Sequence, residues 1–114
     1  MKEIVEYLQK KQIIFKKFKS IAPKELGSRK RVKIYVAVDL KGYYALVMSV
    51  EKKSRVLRKE VEEFMGLHEK LEKYIDSKIK KKYILIKAPL CSHAKVMLEE
   101  NGWKVFTLYS KDME

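Results

Sequence analysis

The sequence has few of the residues that build covalently or metal-stabilised proteins. Its 114 residues include one cysteine and two histidines. A single cysteine excludes an internal disulfide and is consistent with a reducing compartment. Two histidines and one cysteine form no zinc motif at a recognised spacing. We therefore predict no structural metal site.

Long apolar segments and linkers are also missing from the sequence. No apolar run approaches the ~20 residues of a membrane-spanning helix, and the start lacks the apolar region of a signal peptide. No repeat or low-complexity segment divides the chain. We therefore expect a cytoplasmic protein with no membrane partner, in which residues 1–114 form a single domain. A chain of this size buries roughly two-thirds of its unfolded surface, which allows a real core.

The charge of the chain is strongly unbalanced. There are 27 lysines and arginines against 15 acidic residues, which gives a formal net charge of +12. This balance favours polyanionic partners, nucleic acid before an anionic membrane surface. Only four of the cations are arginines, and lysine suits phosphate contacts better than bidentate reading of bases. The charge predicts nucleic-acid binding with weak sequence preference, and a solvated lysine-rich surface is the alternative.

The hydrophobic pattern predicts a mixed α/β architecture. A period-two alternation over 32–38 predicts a strand, "DLKG" predicts a turn, and "YYALVMSVEKK" predicts the second strand of a hairpin. Apolar residues at helical spacing from Leu57 to Ile75 predict a long helix that Ser54 caps. The whole pattern gives the order α-β-β-β-α-β-α-β. We predict an α/β fold (an α+β mixed sheet) with helices on both faces.

The segment Glu51-Lys52-Lys53 ends the second hairpin strand, just before the long helix. In element order and in this motif, residues 1 to 88 resemble the core of the PD-(D/E)XK nuclease superfamily, which includes archaeal Holliday-junction resolvases. The resemblance implies a restriction-endonuclease-like core in which an Asp and a Glu-x-Lys bind Mg²⁺ for phosphodiester cleavage. Glu51 and Lys53 match the Glu-x-Lys, and Asp39 is the nearby aspartate. Glu3 or Glu6 would stand for an acid of the first helix.

The hairpin register argues against Asp39 as a partner of Glu51. A turn within residues 40–43 places Asp39 at the turn end and Glu51 opposite residues 31–33, ~20 Å away. Arg31 or Lys33 then occupies the position of the family's aspartate. A lone carboxylate among cations attracts phosphate rather than Mg²⁺, which prefers one or two carboxylates. We expect a degenerate active site without a cofactor. Mg²⁺ enters only if the nuclease alternative holds, in which another acid completes the site: Glu25, Glu60 or Glu63.

Two basic stretches, "SRKR" and "KKSRVLRK", converge at the same end of the predicted hairpin. They adjoin the start of the long helix, where free N–H groups favour an anion. The lysines of "FKKFK" (residues 15–19) suit phosphate contact, and its phenyl rings suit partial burial in the core. The predicted nucleic-acid-binding residues are Arg29, Arg31, Lys33, Lys52, Lys53, Arg55 and Arg58.

Two alternatives of different class remain beside a DNA-binding module. The first is a Mg²⁺-dependent, structure-selective endonuclease in which Glu51 and Lys53 are catalytic. The second is a protein-interaction domain, and a homodimer is compatible with the sequence. Cys91 and His93 are two apart on a predicted helix and do not share a face, so a packed cysteine is the favoured interpretation. His68 lies on or beside the apolar stripe of the long helix, which favours a packed histidine.

Overall fold

The structure, a computed structural model, describes residues 2–28 and 31–108, with side chains from Ile4 onward. The element order is the predicted one, and a short 3₁₀ helix is added in the predicted loop after the first strand. The elements are α1 (Lys2–Lys10), β1 (Phe15–Ile21), the 3₁₀ helix (Pro23–Leu26), β2 (Lys33–Asp39), β3 (Tyr44–Glu51), α2 (Arg58–Ile75), β4 (Lys81–Lys87), α3 (Ser92–Glu100) and β5 (Trp103–Thr107).

The strands form one mixed five-stranded sheet in the order β1-β2-β3-β4-β5. β1, β2 and β3 are antiparallel neighbours, while β3, β4 and β5 run parallel. Parallel strands need crossover connections, which α2 and α3 provide. We call the end of the sheet where β3, β4 and β5 finish and β2 begins the carboxyl end, and the opposite end the amino end.

The larger core lies between the sheet and helices α2 and α3. Helix α2 buries Val61, Phe64, Leu67 and Leu71 at helical spacing, and the spacing aligns them on one face. They pack against sheet residues that alternate along the strands, among them Ile34, Leu46, Met48, Ile84 and Ile86. This core fixes α2 across the sheet, so its first turn lies near the carboxyl end.

The smaller core lies on the other face, under α1. Ile4 and Leu8 of the helix pack on a second set of strand residues that includes Tyr35 and Val47. Phe18 of β1 stacks on the Tyr35 ring with 4.8 Å between ring centroids. The phenyl ring of Phe18 is therefore partly buried, as predicted, while Lys19 beside it is exposed.

The predicted helix cap at Ser54 is wrong. Helix α2 begins at Arg58 with Leu57 as its N-cap residue, and no side chain caps it. The reason is a tertiary contact, since fully buried Val56 forms a parallel bridge with Leu90. This bridge keeps the chain extended for several residues beyond Glu51 and delays the helix.

Two further expectations concern the chain as a whole. Within the described residues no helix is long and apolar enough to cross a membrane. The single domain over residues 1–114 stays a prediction.

Candidate nucleic-acid interface

The hairpin register places Glu51 opposite residues 31–33, as predicted. Lys33 pairs with Ser49, so continuing the register by two residues on each strand places Arg31 opposite Glu51. A cleft of about 430 Å³ opens at this point. Its lining residues are Pro23, Arg31, Val32, Lys33, Ser49 and Glu51. We call it the carboxyl-end cleft.

The neighbouring parallel strand adds a cation that the sequence reading missed. β3 and β4 pair in register, and the last pair is Glu51 with Lys87. Paired residues on adjacent strands have side chains on the same face. Lys87 follows a buried apolar run, and the carboxyl ends of parallel strands meet at one end of a sheet. That combination is the signal from which Lys87 could have been predicted.

Glu51 itself is exposed at the mouth of the cleft. Within the described residues no cation lies within 4.0 Å of its carboxylate, and no hydrogen-bond donor reaches it. Ser49, next to it on the same face, is only 8% exposed. The cleft therefore combines basic groups and a hydroxyl with one carboxylate that retains its acceptor capacity.

Lys52 differs from the other predicted contact residues. Its ammonium forms an ion pair with Glu60 in the first turn of α2. The charge of Lys52 is therefore largely compensated inside the protein. Its neighbours Lys53 and Arg55 are exposed.

Arg55, which precedes α2, and Arg58, the first residue of α2, lie close to the start of α3. The bridge between Val56 and Leu90 joins the two segments, and Cys91 is the N-cap residue of α3. Backbone N–H groups of Ala94 and His93 lower the pKa of the Cys91 thiol against the opposing effect of burial, and the charges of Arg55 and Arg58 lower it further. The two arginines thus add positive charge beside the start of α3.

Apart from Lys52, the exposed and half-buried cations described at this end have no acidic partners among the described residues. In residues 2–28 and 31–108, no carboxylate lies within 4.0 Å of any of them. Arg29, also predicted to bind nucleic acid, lies outside the described residues. We call the set the carboxyl-end cations: Arg31, Lys33, Lys53, Arg55, Arg58 and Lys87.

Asp39 lies at the opposite end of the hairpin, where it stabilises the turn. Its Oδ1 accepts hydrogen bonds from the backbone N–H groups of Lys41 and Tyr43, both at 2.9 Å. The Tyr43 bond is the main cause that lowers the pKa of Asp39, and Lys81, 3.6 Å from Oδ2, also lowers it. The Asp39 backbone bonds to Tyr43, which is eight residues before Glu51, or roughly 26 Å along a strand. The two carboxylates cannot share a metal ion.

Among the described residues that line the carboxyl-end cleft, Glu51 is the single carboxylate. Of the acids that could complete a site, Glu25 accepts a hydrogen bond from the Ala22 backbone at 3.1 Å, and Glu60 pairs with Lys52. Glu63 makes contacts of its own, and Glu6 is exposed on α1. The Glu3 side chain lies outside the described residues. Over the described part of the chain, no group of three or more His, Cys, Asp or Glu residues could hold a metal ion.

Comparison with known proteins finds similar structures but no matching family model or curated sequence. No family model matches the chain, and neither does any curated protein sequence. EndoMS in its apo form is similar over 96% of this chain, with a TM-score of 0.58 and 19% identity. EndoMS in a complex with double-stranded DNA gives a TM-score of 0.54 at 19% identity, over 95% of this chain. A repair endonuclease from Pyrococcus abyssi gives 0.55 at 17% identity, over 96% of this chain.

These neighbours are PD-(D/E)XK-type nucleases. The chain spans 46%, 44% and 45% of their lengths, respectively, so the likeness concerns about half of each. At identities this low the comparison establishes the architecture and not the activity. The predicted resemblance is confirmed at that level: the chain has a nuclease-like fold, similar to that of these endonucleases.

Proposed function

We propose that this protein binds DNA through the phosphates of the nucleic-acid backbone, with the carboxyl-end cations as the contact surface. The observation that carries the proposal is the concentration, at one end of the sheet, of cations that have no acidic partner among the described residues. A cluster of uncompensated cations attracts phosphates because each contact releases counterions from the nucleic acid.

The lysines and arginines of this surface have different roles in the proposal. Lysine is a point charge, and arginine gives the bidentate geometry that reads base edges. Lys33, Lys53 and Lys87 make up half of the carboxyl-end cations. The aromatic rings of Phe18 and Tyr35 stack on each other, so they are not free platforms for bases. The lysines therefore suit contact with the backbone, and the three arginines of the set are the groups that could also contact base edges.

The fold gives independent support. One of the structural neighbours was solved with double-stranded DNA, although this chain spans less than half of that protein. Within the proposal Glu51 and Lys53 have no catalytic role, because the cations Arg31 and Lys33 that line the cleft with Glu51 repel a divalent cation. A homodimer and a cytoplasmic location stay predictions.

The experiment that tests the proposal is a binding titration with fluorescent single-stranded, duplex and four-way-junction DNA at two salt concentrations. The titration is run first with EDTA and then with Mg²⁺, and each endpoint is examined on a denaturing gel. We expect affinity that falls steeply with salt, does not need Mg²⁺ and leaves the DNA intact. Affinity that is flat across salt would contradict the proposal. Absence of binding to every form would favour the protein-interaction alternative.

A second candidate is a Mg²⁺-dependent endonuclease. The observation that favours it is the pair Glu51 and Lys53 at the end of β3 in a fold shared with endonucleases. This candidate requires cleavage of branched or mismatched duplexes that depends on Mg²⁺ or Mn²⁺ and is lost in Glu51→Ala. DNA that stays intact in both metals would exclude it.

A further inference from the structure

The carboxylate of Glu51 is unfavourable on a surface that binds only phosphates, because both groups are negatively charged acceptors. The backbone of a continuous DNA strand presents phosphate and sugar oxygens as acceptors and offers no hydrogen-bond donor. A carboxylate is also an acceptor only. Glu51 would therefore repel an internal stretch of DNA backbone, unless the ligand brings a donor to it.

The cleft around Glu51 has the groups for a ligand with both kinds of atom. Arg31 and Lys33 line it and donate to negatively charged oxygens, and the Ser49 hydroxyl can donate or accept. Glu51 provides acceptor oxygens, which no described donor occupies. Lys87, in register with Glu51 on β4, adds a further cation. A ligand complementary to this cleft has an acidic group that contacts the cations and a hydroxyl that contacts the Glu51 carboxylate.

We propose that the carboxyl-end cleft binds a sugar hydroxyl that neighbours a phosphate, with Glu51 accepting the hydroxyl proton in a hydrogen bond and Arg31 and Lys33 contacting the phosphate. The inference rests on the proposed nucleic-acid binding and deepens it. Two sources supply this chemistry. One is the free 3′- or 5′-hydroxyl at a nick or end of a DNA strand, and the other is the ribose 2′-hydroxyl of RNA.

The test compares ligands that differ in hydroxyl content. The reference is a DNA dumbbell, a duplex closed by a loop at each end, which has no free hydroxyl. The second ligand is the same dumbbell with one nick that bears 3′- and 5′-hydroxyls. The third carries the nick with both hydroxyls blocked, which controls for the flexibility of a nick. The fourth is an RNA dumbbell of matching sequence.

We expect binding about tenfold tighter for the hydroxyl-bearing nick or for the RNA than for the closed DNA, the gain of one hydrogen bond to a charged group. A preference for the nick over its blocked form identifies the strand-end hydroxyl as the source. A preference for RNA over all three DNA forms identifies the 2′-hydroxyl. Equal affinity for all four ligands overturns the inference.

A matched pair of variants assigns any preference to Glu51. Glu51→Ala should reduce the preference to about onefold while binding of the closed dumbbell stays equal or becomes tighter, because repulsion is relieved. Glu69→Ala, the same charge change at an exposed position near the other end of α2, should leave the preference intact. A preference that survives in Glu51→Ala contradicts the inference without affecting the proposed function. If no ligand binds at any salt concentration, the proposed function itself fails.

Discussion

The two ends of the sheet carry similar cations that differ in whether they have partners within the protein. At the amino end, Lys80 lies over the Tyr43 ring at 5.7 Å and Lys81 lies 3.6 Å from Asp39. Lys82 donates a hydrogen bond to the Asn101 carbonyl at 2.7 Å. At the carboxyl end, the carboxyl-end cations have no acid within 4.0 Å in the described residues.

This difference separates cations that serve the fold from cations that are available to a ligand. A lysine held by an aromatic ring, a carboxylate or a carbonyl has part of its charge satisfied internally. A cation without a partner keeps its full attraction for phosphate. A run of lysines in a sequence therefore does not by itself mark a binding surface, because the partners decide its role.

The largest expected effect comes from removing cations at one end and comparing the same change at the other. Arg31→Ala combined with Lys33→Ala and Arg55→Ala should weaken DNA binding by about 100-fold at low salt, and it should lower the salt slope by up to about three. The combined change of Lys80, Lys81 and Lys82 to Ala removes the same charge and should cost less than about fivefold. Fluorescence anisotropy over a salt series measures both. Equal losses from the two variants would show that net charge, and not position, governs binding.

The carboxylates at the two ends should differ in their contribution to stability. Asp39→Ala removes the acceptor for two backbone N–H groups in the β2–β3 turn and should lower the Tm by several degrees. Glu51→Ala removes no internal contact in the described residues and should leave the Tm unchanged. Thermal unfolding followed by circular dichroism compares the two. A Tm that falls equally in both would mean that Glu51 has a structural role.

The pKa of Asp39 provides a second check on the same contrast. Since hydrogen bonding from Tyr43 lowers that pKa in the folded state, the ionised form contributes stability above the unfolded value of about 3.9, and this contribution is lost as the pH falls through the lower folded value. The difference in Tm between the wild type and Asp39→Ala should therefore shrink below about pH 4. A difference that stays constant down to the lowest accessible pH would contradict the assignment.

Lys52 and Lys53 allow the same comparison, between a cation with an internal partner and one without an acidic partner in the described residues, within the carboxyl end. Lys53→Ala should weaken DNA binding about three- to fivefold and lower the salt slope by about one, as expected for a phosphate contact. Lys52→Ala should change affinity less than about twofold, because Glu60 already compensates that charge. Both variants remove one lysine from neighbouring positions, so each is the control of the other. A larger effect at Lys52 would mean that DNA displaces Glu60.

The smallest expected effect concerns His68 on α2. Burial lowers its pKa most, Lys82 lowers it further, and Glu72 and Glu69 act in the opposite direction. The folded protein thus binds a proton at His68 less tightly than the unfolded chain, so stability should fall as the pH drops below about 6.5. Chemical denaturation at pH 7.5 and pH 5.5 measures the loss. The loss should be smaller in His68→Gln, and an unchanged loss would place its origin elsewhere.

Much of the fold could be predicted because its signals are local. The alternation over β2 and the helical spacing of α2 reflect burial on one face, and the structure confirms both elements. The turn residues between Asp39 and Tyr43 set the hairpin register, so the position of Glu51 opposite Arg31 could also be predicted. The Ser54 cap could not be assessed locally, because the bridge between Val56 and Leu90 joins segments that are distant in the sequence.

The candidate site could be predicted in part, for the same reason. The basic stretches and Glu51 are visible in the sequence, and the hairpin brings them together. Glu60 compensates the charge of Lys52 because of the way α2 packs on the sheet. Lys87 lies beside Glu51 because β4 pairs with β3. No spacing rule in the sequence reports which cation has a partner.

The sequence by itself determined the order of helices and strands, the hairpin register and the excess of positive charge. These follow from the periodicity of burial, from turn chemistry and from counting ionisable groups. The tertiary structure decided which lysines are held by internal partners and which are available. It also placed Glu51, which has no partner among the described residues, in a basic cleft. The physical reason is that charge compensation acts over a few ångströms in space, and such neighbours come from strands and helices that are far apart along the chain.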